Sequence, residues 1–219
     1  MPKTAILLGA SGATGGEVLQ LLLADDRYSK VKLFSRSHID NNNPQVEEHI
    51  INMFDLDKYA DSFIANDVFC CIGTTKAKTP DKNTYYKIDY GIPATAAKLA
   101  KANGIANFIV VSAIAADKNS RIFYNRTKGQ MEEAVLNENI ANTHLLQPSL
   151  IVAKRKDSRI MEKLAAGFMQ LLNPLLFGGA AKFKSIKASA IAKTMVWLAN
   201  NPYPEVIVMS DKIAEIAEK

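Results

Sequence analysis

Cysteine, histidine and tryptophan are scarce in this chain. Its 219 residues hold two cysteines, three histidines and one tryptophan. The cysteines, Cys70 and Cys71, are adjacent inside an apolar run. They read as small buried hydrophobes and not as a disulfide, which suits a reducing compartment. No export signal precedes the first apolar strand, so the sequence-based expectation is a cytoplasmic protein. His38, His49 and His144 are too dispersed for a metal site, and no Cys/His spacing suggests zinc. No apolar run reaches membrane-spanning length. Basic residues are scattered, with a formal net charge of +5, and no run interleaved with aromatics marks a nucleic-acid groove. A mild positive bias instead suits a small phosphorylated ligand. Repeats and low-complexity segments are also missing. With 48% hydrophobic and 22% charged residues, the composition is that of an ordinary globular protein. The length fits one doubly wound α/β domain better than two independent ones.

What is present starts at the N-terminus. Thr4 to Leu8 is an apolar run that reads as a buried strand. Gly9, Gly12 and Gly15 follow at three-residue spacing, and Glu17 to Leu23 continues as an apolar-periodic helix. Strand, glycine-rich turn and helix in that order make a phosphate cradle. Glycine lets the chain bend sharply and lets a pyrophosphate approach the main chain. The helix start then offers unpaired N–H groups and the positive end of its dipole. Gly9, Ser11, Gly12, Ala13, Thr14 and Gly15 are therefore expected to hold a dinucleotide. A tight turn that binds nothing is the alternative.

Lys30 to Arg36 reads as the second strand. In dinucleotide folds an acid at its end would bond the adenosine ribose, whereas an arginine accommodates a 2′-phosphate. Here Ser35 and Arg36 stand there, which predicts NADP(H), unless Arg36 is merely a solvated surface residue. Glu47 to Asn52 is a third strand, followed by Asp55 and Leu56. Asp55 either accepts from an adenine amine or caps a short helix at Tyr59 to Ile64. The fourth strand leads into Cys71-Ile72-Gly73-Thr74, where Gly73 would let the backbone pass under the cofactor. Thr74 or Thr75 could there reach a ribose or substrate oxygen. Thr84 to Asn103 reads as a long helix broken near Gly91 by Pro93.

Asn107 to Ser112 is the fifth strand. It ends on Ser112, beyond a strand's carboxyl end, where open α/β sheets bind ligands. Ile122 to Glu138 reads as a helix carrying Tyr124 and Lys128, four apart and so on one face. An ammonium beside a phenol favours the phenolate and lowers its pKa. Tyr124 could then exchange a proton with a carbonyl or hydroxyl oxygen, and Ser112 could orient that oxygen. The same spacing recurs at Tyr28 and Lys32, which lead into a strand and are set aside. An exposed helix face is the alternative for Tyr124 and Lys128. Asn142 to Gln147, then Pro148, forms the sixth strand and its exit. Asp157 to Leu176 is an amphipathic helical stretch, Ser189 to Asn200 a helix, Val206 to Met209 a strand and Asp211 to Glu218 a helix. Alternating strands and helices predict a doubly wound, mostly parallel sheet in one domain spanning 1–219, with a small C-terminal substrate lobe. The segment 150–185 reads as a substrate-side lid or as a core or dimer-facing helix pair. Its helix-spaced Met and Leu favour packing, which leaves a homodimer open.

The chain resembles an atypical, NADP-binding short-chain dehydrogenase/reductase. The resemblance rests on Gly9, Gly12 and Gly15, Ser35-Arg36, Ile72-Gly73, Ser112, Tyr124 to Lys128, and Gln147-Pro148-Ser149. It is similar in particular to the Tat-interacting-protein branch of oxidoreductase-like proteins, through Ser112 ahead of Ala116-Asp117-Lys118 and Tyr124 to Gly129. The resemblance implies that Ser112, Tyr124 and Lys128 are catalytic. It also implies that Lys128 holds the nicotinamide ribose and that the Pro148 segment contacts the carboxamide. Two positions depart from the family pattern: Asp89 where many members carry a relay asparagine, and Gln147-Pro148-Ser149 for the usual Arg-Pro-Gly. The expected activity is NADP(H)-dependent hydride transfer with a small carbonyl or alcohol substrate. A non-catalytic NADP(H)-binding regulatory or interaction module is the alternative.

Overall fold

Three strands are apolar along most of their length because both faces of the sheet are covered there. The computed structural model describes residues 2–152 and 184–219. In chain order it gives β1 (Lys3–Leu8), α1 (Ala13–Leu23), β2 (Tyr28–Ser35), β3 (Val46–Ile50), a 3₁₀ segment (Met53–Ser62) and β4 (Asp67–Cys70). Next come α2 (Lys82–Tyr86), a π-helical turn (Lys87–Gly91), α3 (Ile92–Ala102), β5 (Asn107–Val111), α4 (Phe123–Asn137) and β6 (Asn142–Gln147). The remaining described elements are β7 (Ile151–Val152), β8 (Ile186–Lys187), α5 (Ala188–Leu198), β9 (Ile207–Met209) and α6 (Ser210–Ile216).

Seven strands form one parallel sheet in the order β3-β2-β1-β4-β5-β6-β9. This is the doubly wound arrangement the sequence predicts. Alternation along β1 divides the core. Leu7 packs with Val18, Leu22, Ile191, Met195 and Ile213 under α1, α5 and α6. Ile6 and Leu8 pack on the other face with Ala96, Ala100, Met131 and Val135 under α3 and α4. The strand order reverses between β1 and β4, and the crevice beyond their carboxyl ends is the place such sheets bind ligands. β7 and β8 pair in a separate two-stranded sheet that flanks residues 153–183. Two-residue strands are too short for periodicity to reveal. The expected helix over Asp157 to Leu176 lies outside the described residues, as does most of the segment read as a lid or dimer contact. Among the described residues, no helix is long and apolar enough to cross a membrane.

The expected break before Pro93 takes the form of the π-helical turn. A proline lacks the N–H that an α-helix needs, and one wide turn lets the chain pass it without ending. The turn also carries Asp89 into the interior, where it is 1% exposed.

At the opposite, amino end of the sheet a polar cluster ties the strands together. Asp67 is fully buried. It accepts from Tyr28 Oη at 2.6 Å, Asn107 Nδ2 at 2.6 Å and Lys3 Nζ at 3.2 Å. Lys3 also reaches the Ala199 carbonyl, and Asn200 donates to Tyr28 Oη. Tyr28 is thus a strand residue committed to structure, not a second acid–base candidate. Replacing Tyr28 with Phe removes one donor from a buried carboxylate, and an unmet buried acceptor costs about 1–3 kcal/mol. We expect that loss in the urea unfolding free energy, with the denaturant slope unchanged.

Candidate active site

The glycine turn is built by backbone contact. Gly9 sits at φ +87°, and a Cβ there would come within 2.8 Å of the Cys71 carbonyl oxygen. A Cβ on Gly15 would lie 2.1 Å from the Gly9 carbonyl oxygen, so helix α1 must start on a glycine to pass so close. Gly12 N donates to Gly9 O at 2.9 Å and Cys71 N to Leu8 O at 2.9 Å, closing the turn onto the β4 exit. Gly12 is the N-cap of α1, no side chain caps it, and no acid stands in the first turn. The helix start therefore keeps its affinity for an anion. Ser11 and Ala13 are on the open side of this turn, whereas Thr14 and Gly15 are buried beneath it. These residues fit a nucleotide diphosphate.

At the end of β2, Ser35 Oγ donates to the Ser37 carbonyl at 2.7 Å and shapes the bend. Arg36 is exposed and has no carboxylate partner among the described residues. Glu48 on β3 reaches into this loop, accepting from Ile39 N at 2.7 Å and pairing with His38 at 2.5 Å. Glu48, legible in the sequence only as part of the third strand, is brought to the end of β2 by the parallel pairing of the two strands.

Asp55 is not a helix cap. The cap is Asn52, whose side chain accepts from Phe54 N at 3.2 Å. Asp55 instead lies inside the 3₁₀ segment, pairs with Lys58 at 2.8 Å and accepts from Asn52 Nδ2 at 2.7 Å. Leu56 is buried in the core, which leaves only its main chain to face a ligand.

Past β4 the chain reaches the chemical centre. Lys128 Nζ and Asp89 Oδ1 are 2.9 Å apart, with the lysine side chain 4% and the aspartate 1% exposed. Asp89 Oδ2 accepts from Thr74 N at 2.8 Å, which fixes the carboxylate. Thr74 Oγ1 is bonded to Thr79, so its hydroxyl is shared with the neighbouring loop. A Cβ on Gly73 would stand 3.5 Å from Asp89 Oδ1 and 3.7 Å from Lys128 Nζ, so Gly73 lines the open space over the ion pair. Tyr124 is one turn before Lys128 on α4, with 41% of its surface exposed toward the cavity described below.

Ser112 follows β5 and is 4% exposed. Its Oγ lies near Glu132 but has no hydrogen-bond partner among the described residues. A buried hydroxyl not held by a hydrogen bond of ordinary geometry is free to meet an atom from outside the chain. Glu132 continues the Tyr124, Lys128 line by one more turn and accepts from Gln147 Nε2 at 2.9 and 3.1 Å. Burial pushes its carboxyl above the usual range, against the Ser112, Gln147 and Lys128 contributions. Its spacing of four after Lys128 was the signal available in the sequence. Pro148 is held in the same layer, its carbonyl accepting from Ile114 N at 3.0 Å.

The electrostatics differ from the simple expectation of a lysine-acidified phenol. Burial raises the Tyr124 pKa, Lys128 lowers it and Asp89 raises it again, and the net direction is up. Burial disfavours the Lys128 charge, but Asp89 and Tyr124 outweigh it and its pKa also rises. Lys128 thus stays charged, and Asp89 offsets that charge, so Tyr124 rests as a neutral phenol. Beside it opens a cavity of about 590 Å³, lined among the described residues by Thr74, Lys82, Tyr85, Ile122, Phe123 and Tyr124, with Lys76 also on its wall.

Comparison with known proteins agrees with this geometry. The model of a family described as NAD(P)H-binding matches residues 9–162. Protein HTATIP2 of Rattus norvegicus is 33% identical over 170 residues, covering 76% of this chain and 70% of that protein. Protein FMP52-1, mitochondrial, of Scheffersomyces stipitis is 32% identical over 189 residues, covering 80% of each. Among solved structures, UDP-N-acetylglucosamine 4-epimerase from Methanobrevibacter ruminantium superposes with a TM-score of 0.71 at 15% identity, over 94% of this chain and 76% of that one. WbmH of Bordetella bronchiseptica, in complex with NAD+, gives 0.68 at 13% identity, over 91% and 73%. At such identities these two establish the fold alone. The expected cytoplasmic location does not stand. Relatives from Scheffersomyces stipitis, Debaryomyces hansenii and Candida albicans are all named as mitochondrial. Free buried thiols are satisfied by any reducing compartment, so they could not single out the cytoplasm.

The charge arrangement makes one direct prediction. Asp89→Asn removes the group that raises Tyr124 and leaves the Lys128 charge uncompensated. In ¹³C-tyrosine NMR titrations, with the resonance assigned by loss in Tyr124→Phe, the Tyr124 phenol is expected to ionise at lower pH in Asp89→Asn than in the wild type. An equal or higher midpoint would show that Asp89 does not set it.

Proposed function

The chain belongs to the NAD(P)H-binding family, in an atypical branch of the short-chain dehydrogenase/reductases, and on that premise we propose that it is an NADP(H)-dependent reductase of small carbonyl compounds. The observation that carries this reading is the buried Asp89–Lys128 ion pair one helical turn from Tyr124, which borders an open cavity, with the buried Ser112 hydroxyl after β5 lying near Glu132, one turn further along the same helix. Gly9, Gly12, Gly15 and the start of α1 would hold the diphosphate, with Ser11, Ala13 and Thr14 in the same turn. Ser35 and the unpaired Arg36 would receive a 2′-phosphate, while Glu48 is occupied by His38 and the Ile39 amide. Asp55 and Leu56 would border the adenine through the exposed carboxylate of one and the main chain of the other. Cys71, Ile72, Gly73 and Thr74 would pass beneath the nicotinamide ribose, with Lys128 above it and Pro148 at the carboxamide.

A bound dihydronicotinamide supplies a hydride to the carbonyl carbon. Ser112 Oγ donates a hydrogen bond to the substrate oxygen and fixes its direction. Tyr124 donates its proton to that oxygen as negative charge builds on it. Its raised pKa keeps it in the protonated form that reduction consumes. Lys128 then stabilises the phenolate that remains, held in place by Asp89, which is itself fixed by the Thr74 amide.

Two measurements test the reading. With NADPH and a panel of aldehydes, ketones and quinones, Tyr124→Phe is expected to lower kcat by about 10²–10⁴ while NADPH still binds. Turnover of nothing in the panel, with NADPH binding retained, would instead identify a non-catalytic NADP(H)-binding module. Arg36→Ala is expected to weaken NADPH binding by about 10- to 100-fold, the equivalent of a charge-assisted contact of roughly 1.5–3 kcal/mol. NADH binding should change little. Equal wild-type affinities for NADH and NADPH would remove the 2′-phosphate assignment.

A further inference from the structure

The cavity beside Tyr124 has a largely apolar wall, with Thr74, Thr75 and Thr79 on it, and charges of one sign among the described residues. Tyr85, Ile122 and Phe123 make its apolar surface, with the Tyr85 and Phe123 rings edge to face at 5.5 Å. Lys82 Nζ stands 5.7 Å from the centre of the Phe123 ring, and the Arg126 guanidinium approaches the same ring at 6.0 Å. Arg126 donates to the Ser120 carbonyl at 2.8 Å, so it is held by neutral acceptors. Lys76 and Lys82 both line the cavity and are exposed, and neither pairs with a carboxylate among the described residues.

The two acids closest along the chain or in the site are committed elsewhere. Asp81 accepts from Thr84 N at 2.7 Å as the cap of α2, and Asp89 is buried against Lys128. No Asp or Glu lines the cavity among the described residues. An apolar slot whose mouth carries two unpaired ammonium groups is complementary to an apolar body with an anionic end. The 590 Å³ volume lies within the range of small-molecule sites.

We propose that this cavity selects aromatic or branched apolar aldehydes and ketones that carry a carboxylate or a comparable anionic group, with Lys82 and Lys76 as the anion-binding side chains. This rests on the reductase reading above. The apolar body lies against Tyr85, Ile122 and Phe123. The anionic end is drawn to the lysines, and the carbonyl is left toward Tyr124. Partly exposed ion pairs contribute about 0.2–1 kcal/mol each, so two of them give roughly a two- to thirtyfold preference at low salt.

The test uses the full chain with NADPH and three substrates of one shape: 4-carboxybenzaldehyde, benzaldehyde and 4-(trimethylammonio)benzaldehyde. The expected order of kcat/KM is carboxylate above neutral above cation. The ratio of the first two should shrink with added salt and approach one in a Lys76→Met/Lys82→Met double variant. Saturation-transfer NMR of 4-carboxybenzyl alcohol and benzyl alcohol with the NADPH complex, a dead-end pair with no hydride acceptor, measures binding without turnover, and the carboxylate is expected to bind more tightly. Equal turnover of all three aldehydes, or a preference that survives the double variant, overturns the anionic selectivity and leaves the reductase reading intact. Selective carboxylate binding with no turnover of any aldehyde overturns the reductase reading and leaves the anion-selective cavity standing. Neither turnover nor selective binding overturns both.

Discussion

Everything at the functional end of this molecule depends on one backbone-to-backbone contact. Helix α1 starts so close to the end of β1 that the Gly15 Cα stands against the Gly9 carbonyl, with no room for a side chain between them. The Gly9 turn in turn rests on the Cys71 carbonyl at the exit of β4. Because β1 and β4 are neighbours whose following helices pack on opposite faces of the sheet, their ends separate and leave a crevice. The crevice is lined by N–H groups of a helix start that no side chain among the described residues caps. A single methyl group at Gly15 would force the helix away from the strand, and the geometry of the anion site would go with it.

The second constraint is the ion pair between Lys128 and Asp89. Taking both charges out of water is expensive, and such a pair is a poor way to gain stability. Its value is positional and electrostatic. Lys128 stays charged although burial works against its charge, and Tyr124 is not driven to the phenolate at rest. A phenol that is too acidic holds a proton poorly at neutral pH. One that can be ionised only at the moment its proton leaves is better suited to donating it. The π-helical turn makes this possible, since it carries Asp89 inward just before Pro93 would have ended an ordinary helix.

The sequence displays what is local in the chain. The glycine spacing, the apolar strands and the Tyr124/Lys128 spacing each span a few residues, and from them the parallel sheet and the elements bearing the candidate residues can be read. What was hidden is what the fold brings from a distance. Asp89 was visible only as a departure from a family pattern, because its contact with Lys128 crosses 39 positions that no periodicity connects. Glu48 enters the β2 loop from a different strand, through a parallel register that pairs it with Leu33. Of the two roles the sequence offers Asp55, the cap fails, because Asn52 occupies that place three residues earlier. Glu132 is the instructive omission: it is one more step of the same helix face, and only its buried contact with Gln147 shows that the face does not turn outward there.

The two ends of the sheet differ in how their polar groups are met, and that difference locates function better than any single motif. At the amino end Asp67 takes three donors, Tyr28 both donates and accepts, and Asn107, Asn142 and Asn200 pass hydrogen bonds from strand to strand and on to the last turn of α5. That end holds a polar cavity of about 300 Å³, but the network beside it is closed on itself. At the carboxyl end, among the described residues, polar groups are left open: no side chain caps the start of α1, Ser112 Oγ makes no hydrogen bond of ordinary geometry although it lies near Glu132, and Lys76 and Lys82 pair with no carboxylate. Buried polar groups in a folded chain are normally satisfied, because leaving them so is cheaper than any alternative. A chain that satisfies one end completely and leaves the other wanting has the same amino-acid repertoire available to both. The open end is therefore built for atoms that the chain does not itself provide.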